Sequence, residues 1–296
     1  MKTSDNRWSG KFRSYISPER LGAALWPVLT VVPLLAGIGY AVLYSLGGVG
    51  LLSEGWTLQH WREALTDLHL LKSFAYSIYV GILSIVTSIS LALCGTLVFR
   101  SQVGRRWTGM LLYAPLAIPS VVTAFFVYEI FAQSGWLSRV LHQLGLLGSA
   151  DQFPILIQDP WAIGIITAHV AMAAPFFLIL FLNTYQNEQI DELRRVASTL
   201  GAGSLESDWK ITIPVLFHRS YPTIVLYFIF AVGSYEIPLL LGASSPQMLA
   251  VNVVRNLQRF SLDTIPHAYI LALLYVVVVI GILWALLRRK KLFYEA

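Results

Sequence analysis

Three ionisable side chains lie within long apolar stretches of the sequence: Glu129, His169 and Glu236. A charge inside hydrocarbon is costly, so such groups usually face a protein interior, a water-filled path or a partner. Glu236 stands between Tyr235 and Ile237, two residues before Pro238. Together, Tyr235 and Glu236 could line a path for a cationic solute; alternatively, Glu236 is a structural carboxylate hydrogen-bonded beside a helix break at the proline. Both interpretations stay open for Glu236, whereas a structural role is favoured for Glu129 and His169.

Sequence signatures of catalysis are missing around these residues. The chain contains no H-E-x-x-H motif, no Gly-x-Gly-Asp motif and no convincing Ser/His or Ser/Lys pair on neighbouring apolar segments. Nucleotide binding by a Walker A loop requires G-x-x-x-x-G-K-[ST]. The single Gly-Lys pair, Gly10-Lys11, is followed by Phe12 and has no such loop before it. We therefore expect a chain without catalytic residues, metal ligands or a bound cofactor.

The elements that carry the three ionisable residues must be largely apolar. Of the 296 residues, 56% are hydrophobic and only 12% are charged, whereas a soluble domain carries about 25% charged residues. This composition excludes a soluble enzyme, a disordered regulator and a fibrous protein, and it is typical of a polytopic membrane protein surrounded by lipid. Cys94 is the only cysteine, so an intrachain disulfide is excluded. The net charge of +5 lies mostly beside apolar segments, which argues against a nucleic-acid partner.

Six apolar stretches are long enough for membrane-spanning helices, which need about 20 residues each. They do not alternate as barrel strands do, so we predict an all-α protein with six transmembrane helices. Most of the 21 Lys and Arg residues fall on one side when the N-terminus is inside, which predicts that both termini are cytoplasmic. Residues 1–20 would then form a cytoplasmic arm, and residues 21–296 a single transmembrane domain. The predicted spans are residues 21–46, 73–99, 108–132, 160–183, 220–242 and 264–287.

The segment between the fourth and fifth spans, residues 187–214, has the pattern of two short helices joined by a glycine bend. Asp191 and Glu192 lie in the first turn, where negative charge stabilises a helix N-terminus. Gly201 and Gly203 are expected to end the first helix. The result would be a compact knob on the cytoplasmic side. Five apolar residues share one face of the first predicted helix: Ile190, Leu193, Val196, Ala197 and Leu200.

This segment resembles the membrane subunit of type I ABC importers, also called binding-protein-dependent permeases. The family signature there is E-A-A, three residues, G, nine residues and I-x-L-P. The spacing is kept throughout, but Arg195 replaces the family's Glu, and Asp191 and Glu192 are in position to pair with it. Val196 replaces the first Ala, and Ile213 is a conservative replacement for the Leu. The positions identical to the signature are Ala197, Gly201, Ile211 and Pro214. The resemblance covers nearly all of the chain after residue 20, including residues 57–67, 134–147 and 233–242, which are similar to permeases for polyamines, ferric iron, thiamine or phosphonates.

The resemblance implies that residues 187–214 form a coupling helix loop that docks on a cytoplasmic ABC ATPase dimer. ATP and Mg²⁺ would be bound by that ATPase. A second permease subunit, either a related chain or a second copy, would complete the translocation path, and an extracytoplasmic binding protein would deliver a small solute, weakly favoured as cationic and polyamine-like. The location implied is the bacterial inner membrane. The residues implied in ATPase coupling are Arg195, Val196, Ala197, Leu200, Gly201, Ala202, Ile211 and Pro214.

Two other classes of function compete with an ABC permease. A secondary transporter or channel would work without ATP, but it would usually show more spans, an internal repeat or a filter sequence. An intramembrane enzyme would need a polar catalytic set within the spans. Sensitivity to changes in the 197–201 bend, rather than to changes of one intramembrane polar residue, would separate a transporter from an enzyme.

Overall fold

The structure, a computed structural model, contains helices joined by turns and loops, and no strand occurs among the residues that it describes. The described residues are 18–50, 55–100, 113–149, 152–259 and 262–294, with side chains described between residues 25 and 288 of those ranges. Residues 1–17 of the predicted arm and residues 108–112 of the third predicted span lie outside the described residues. The α-helices are α1 (Pro18–Ser45), α2 (Gln59–Thr66), α3 (Leu68–Phe99), α4 (Ser120–Phe131), α5 (Trp136–Gln143), α6 (Ile163–Asn187), α7 (Ile190–Thr199), α8 (Ser204–Ser207), α9 (Ile213–Val232), α10 (Glu236–Leu241), α11 (Leu249–Gln258) and α12 (Ile265–Tyr294). Shorter helical turns lie at Ala114–Ala117, Asp208–Thr212 and Leu262–Thr264.

Five helical segments of the described residues are long and apolar enough to cross a membrane. They correspond to five of the six predicted spans. The segments are Leu25–Ser45, Leu68–Phe99, Ile163–Asn187, Ser204–Val232 and Leu262–Arg288.

The third predicted span differs from the expected continuous helix over residues 108–132. Its described part begins with a 3-10 turn, Ala114–Ala117, and resumes as α4 after Pro119. Proline lacks the N–H that continues a helical ladder and disfavours helical geometry in the residue before it. At 12 residues, α4 has a length of about 18 Å, which is shorter than the hydrocarbon core. The described residues therefore show only the second part of this stretch as α-helix.

The fifth predicted span, residues 220–242, is also interrupted. Helix α9 ends at Val232, and α10 starts at Glu236. Tyr275 of α12 donates a hydrogen bond to the carbonyl of Ile229 (2.7 Å), and its ring lies so close that a Cβ on Gly233 would be 2.5 Å from the Tyr275 hydroxyl. The break thus precedes Pro238, contrary to the expectation that the proline makes it. Pro238 is tolerated because it lies in the first turn of α10, where no intrahelical N–H bond is needed.

Helix α3 is the central packing element of the described chain. It lies along α6 and also contacts α9, α11 and α2. Its contact with α9 is close, since a Cβ on Gly81 would lie 2.7 Å from a methyl group of Val232. One cluster of buried apolar residues joins α3 with α6 and α9, and a second joins α3 with α4, α6 and α10. A third cluster packs α2, α11 and α12 around the first residues of α3.

Neutral hydrogen bonds hold α11 to the N-terminal part of α3. The hydroxyl of Ser77 accepts a hydrogen bond from the backbone N–H of Leu249 (2.7 Å), the first residue of α11. One turn earlier, the hydroxyl of Ser73 accepts from the side-chain amide of Asn252 (2.8 Å). The N-terminus of α3 itself is capped by Asp67, whose carboxylate accepts from the N–H of His69 (2.8 Å). This end of the helix is therefore fixed by uncharged donors together with one helix cap.

Candidate functional site

The predicted glycine bend in residues 187–214 is present. Helix α7 ends at Thr199, and Gly201 follows with a φ of +90°. The N–H of Ala202 donates back to the carbonyl of Ala197 (3.0 Å), which closes the turn before α8 begins. A positive φ is accessible to glycine because it has no Cβ. Gly203 has an ordinary φ of −72°, so only the first of the two glycines is required by the backbone conformation.

The apolar residues of this segment divide into an anchor and an exposed surface. Ile190 is fully buried and packs in the same cluster as Phe181, Tyr185 and Leu216. The single apolar face predicted for α7 is therefore split, since only its first residue belongs to the core. Leu200 is 84% exposed and Trp209 is 71% exposed. We call the group the exposed apolar knob: Leu193, Val196, Leu200, Leu205 and Trp209.

A buried acidic residue, Asp208, holds the segment that carries the exposed apolar knob to α3. The carboxylate of Asp208, in the π-helical turn before α9, forms ion pairs with Arg100 at the end of α3 (2.6 Å) and with Arg194 of α7. Arg194 also donates hydrogen bonds to the hydroxyls of Thr212 and Ser204 (3.2 Å each). Burial, followed by the charge of Arg100, lowers the pKa of the Arg194 guanidinium. One carboxylate thus joins α3, α7 and the start of α9.

Sequence reasoning missed this ionic cluster. Asp208 is 13 residues after Arg195, at one of the unspecified positions of the family signature, and Arg100 is more than a hundred residues away along the chain. The available signal was weak: an acidic residue beside Trp209, shortly before an apolar helix, in a segment where arginines also occur.

The expected local pairing of Arg195 is not observed. Arg195 is exposed, and within the described part of the chain it forms no ion pair with Asp191 or Glu192. Asp191 instead accepts a hydrogen bond from the hydroxyl of Tyr185 (2.6 Å), which ties the first turn of α7 to α6. Of the remaining predicted coupling residues, Ala197, Ala202 and Ile211 are partly buried, and Pro214 is exposed in the first turn of α9. The side chain of Arg195 therefore remains accessible to a partner.

Glu236 meets a partner that the sequence did not indicate. Its carboxylate accepts a hydrogen bond from the hydroxyl of Ser120, the first residue of α4. The helix break places Glu236 at the start of α10, which packs on α4. Glu236 is exposed and Tyr235 is partly buried. The two residues are thus at a junction of broken helices rather than inside one continuous helix.

The other two ionisable residues do not join this junction. Glu129 lies nine residues after Ser120 on α4, about 14 Å along the helix axis, and is exposed. His169 lies in α6 and is completely buried beside Ala168, a member of the core. Neither ring nitrogen of His169 makes a hydrogen bond to a described residue, so its structural role stays a prediction. The structure therefore groups Glu236 with Ser120 and separates both from Glu129.

The described residues combine five helical segments that are long and apolar enough to cross a membrane with an exposed apolar knob. Residues 84–291 match the model of one family, the binding-protein-dependent transport system inner membrane component. Because the match covers most of the chain, the chain belongs to this family of ABC permeases. The predicted family and the inner-membrane location are thus confirmed.

Relatives of known name support the same class. The chain is 26% identical over 267 residues to the thiamine transport system permease protein ThiP of Haemophilus influenzae, covering 90% of this chain and 46% of that protein. It is 23% identical to the sulfate transport system permease protein CysT of Synechocystis sp. over 48% of this chain and 46% of the relative. It is 22% identical to the maltose/maltodextrin transport system permease protein MalF of Yersinia pestis, over 68% of this chain and 39% of that protein. The chain spans less than half the length of these relatives.

Solved structures resemble the fold over nearly the whole chain. A bacterial ABC transporter involved in the import of the acidic polysaccharide alginate aligns with a TM-score of 0.68 at 16% identity, covering 93% of this chain and 94% of the matched chain. A second alginate transporter structure, in complex with a periplasmic protein bound to an alginate pentasaccharide, aligns with a TM-score of 0.65 at 17% identity, covering 90% and 91%. At this identity the likeness establishes the fold.

Proposed function

We propose that the chain is one permease subunit of an ATP-driven importer and forms half of its translocation path. The 187–214 segment docks on a cytoplasmic ABC ATPase dimer, which binds ATP and Mg²⁺. A second permease subunit completes the path, and a binding protein delivers the solute from the other side. In this proposal the chain has six spans with both termini in the cytoplasm, and the stretch before α4 contributes the third span.

The observation that carries this proposal is the exposed apolar knob. The buried ion pairs of Asp208 already hold this segment to the rest of the protein. The exposed side chains of Leu200, Leu205 and Trp209 therefore add little to its packing. Contiguous exposed apolar residues rimmed by polar ones are typical of a protein interface. Arg195, exposed beside them, adds a charge that an acidic position of the ATPase could meet. The knob thus has the chemistry of a docking surface, and the family membership supplies the kind of partner.

Docking can be tested by co-expression and co-purification of the chain with the proposed ABC ATPase. We expect Leu200→Asp to reduce stoichiometric co-elution of the ATPase by at least tenfold, because a carboxylate would be desolvated in an apolar contact. Leu144→Asp is the matched control: Leu144 is 67% exposed at the end of α5, and the variant should co-elute as wild type does. Equal loss in both variants, or in neither, would contradict docking through the knob. Solute uptake by the chain without any ATPase would instead support the ATP-independent transporter.

The substrate proposed is a small cationic solute, polyamine-like in charge. The support is Glu236, an exposed carboxylate at the junction of α9, α10 and α4. The relatives are named for thiamine, sulfate and maltose, so the comparisons do not single out a polyamine. The charge preference therefore depends on Glu236 alone.

Uptake by proteoliposomes containing the complete transporter tests this role of Glu236. We expect Glu236→Gln to raise the half-saturating concentration of a polyamine at least fivefold, because the attraction of a full charge is lost while the shape is kept. Glu129→Gln is the control, because it removes a carboxylate from α4, the helix that carries Ser120, at a position away from Glu236. This variant should leave uptake near the wild-type value. Unchanged polyamine uptake by Glu236→Gln would remove Glu236 from the path.

A further inference from the structure

Three potential metal ligands converge where α2 meets the start of α12. His60 and Glu63 are one turn apart on α2, and His267 is the third residue of α12. One donor atom from each residue lies within 4.8 Å of the donor atoms of the other two. The motifs of the sequence predict no metal site here, because the third residue is about two hundred positions away from the other two.

The distances suit a small coordination sphere. Zinc binds imidazole nitrogen at about 2.0–2.1 Å, so two tetrahedral ligands lie about 3.4 Å apart. The Nε2 atom of His267 and the Oε2 atom of Glu63 are 3.5 Å apart. The rings of His60 and His267 are 6.4 Å apart between centroids and nearly perpendicular, which leaves their edges free to face one point.

Two features prepare these donors for a cation. The Nε2 atom of His267 is buried from solvent and makes no hydrogen bond to any described residue. The Oε1 atom of Glu63 accepts a hydrogen bond from the side-chain amide of Gln59 (2.8 Å), which orients the carboxylate and leaves Oε2 directed at His267. A second residue that fixes a ligand in this way is a regular feature of protein metal sites.

The cluster can also be reached from water. His267 lines a polar cavity of about 420 Å³ between α3, α11 and the turn before α11, and His60 lines a second cavity of about 440 Å³ beside Asp263. The cations facing the first cavity are Lys72 and Arg259, and the acidic residue facing it is Asp67. Both cavities adjoin the cluster, and the Glu63 side chain is exposed, so the cluster borders solvent-accessible space.

We propose that His60, Glu63 and His267 bind a divalent transition metal ion of the Zn²⁺ type and that the ion ties α2 to α12. Two imidazoles and one carboxylate are a ligand set used for Zn²⁺. Trp61, between the first two ligands, donates to the hydroxyl of Ser45 (3.2 Å), so α2 is also fixed to the end of α1. The ion would add a polar attachment to the apolar packing of α2 on α12.

Zinc titration of the purified, tag-free protein in detergent after treatment with a chelator tests the proposal. We expect one Zn²⁺ per chain with micromolar or tighter affinity and a rise in the unfolding temperature. His60→Gln, Glu63→Gln and His267→Gln should each weaken binding at least tenfold, and Gln59→Leu by a smaller factor. Binding of Co²⁺ in place of Zn²⁺ should give the visible absorption of a tetrahedral site.

The matched control is His142→Ala, because the chain has six histidines and could bind zinc elsewhere. His142 lies on α5 with its Nδ1 atom 2.9 Å from the carbonyl of Leu147, and its removal should leave the titration unchanged. Failure of the wild-type protein to bind Zn²⁺, or wild-type affinity in His267→Gln and Glu63→Gln, would overturn the proposal. The metal-free unfolding temperature of each variant shows whether it is folded. Neither measurement requires an ATPase or transport, so the result is independent of the proposed function.

Discussion

The two ends of α3 are held by different chemistry. At the C-terminal end, Arg100 pairs with the largely buried Asp208, which also binds Arg194. At the N-terminal end, Ser73 and Ser77 make neutral hydrogen bonds to α11. The same helix thus connects a charged junction with an uncharged one.

This difference matches what each end has to hold. The charged end fixes the exposed apolar knob, and a buried carboxylate shared by two arginines is costly to break because it leaves uncompensated charge behind. The neutral end is held by hydrogen bonds between uncharged groups, which take less free energy to break. We therefore expect the junction at the knob to resist separation and the junction at α11 to separate more easily.

The largest effect is expected from Asp208→Ala. The substitution leaves the guanidinium groups of Arg100 and Arg194 without their shared carboxylate, and we expect it to destabilise the protein by about 3 kcal/mol. The unfolding temperature in detergent should fall clearly. The control is Glu206→Gln, which removes an exposed ion pair with Lys210 one turn away and should change the unfolding temperature little. A similar loss of stability in both variants would show that the buried junction has no special strength.

A smaller effect is expected from Gly201→Val. No atom lies within 4 Å of the Cβ that would be added, so the cost comes from the backbone, whose φ is +90°. A β-branched residue there costs about 1–2 kcal/mol. We expect the turn to change conformation and the ATPase activity of the assembled transporter, stimulated by its binding protein, to fall.

Gly203→Ala is the control for the bend, because Gly203 has an ordinary φ and equally open surroundings. Its stimulated ATPase activity should equal that of the wild type. If Gly201→Val also retained full stimulation, the bend would not be needed to transmit the action of the ATPase.

The smallest effect is expected at the neutral end, from Ser77→Ala. The N–H of Leu249 would lose the side-chain acceptor that satisfies it at the start of α11, at a cost of about 1 kcal/mol. Ser90→Ala serves as the control, since the Ser90 hydroxyl bonds only to the carbonyl of Val86 on its own exposed helix face. Thermal unfolding of both variants measures the difference. A loss at Ser77 as large as that at Asp208 would abolish the contrast between the two ends.

The long spans could be predicted because a single property, sustained apolar composition, determines them. The third and fifth stretches are also apolar, yet their helices are interrupted. The causes are the positions of individual residues and a contact with another helix, which an overall apolar composition does not indicate. Pro115 and Pro119 interrupt the third, and the contact of Tyr275 with Ile229 and Gly233 accompanies the break in the fifth. The latter depends on a side chain from another helix, so no local pattern in the fifth stretch could reveal it.

The candidate site divides in the same way. The bend at Gly201 was predictable, because a helix followed by glycine at a fixed position is a local signal. The partners of Asp208 and Glu236 were not predictable, because Arg100 and Ser120 reach them only through the packing of distant helices. Arg195 shows the converse error: a favourable spacing from Asp191 did not produce a pair, since Tyr185 already bonds to that carboxylate.

The length of α3 has a consequence for the protein's relation to its bilayer. Its 32 residues extend about 48 Å, whereas the hydrocarbon core is about 30 Å thick. A centred helix near the membrane normal would therefore extend about 9 Å beyond the hydrocarbon at each side, which places Arg100 at headgroup depth and Ser73 at the edge of the hydrocarbon, with Ser77 one turn inside it. A thicker or thinner bilayer would then change the hydration of both polar junctions while leaving the apolar packing of α3 against α6 in place. Lipid chain length is thus a way to adjust the strength of the two ends without altering a single residue.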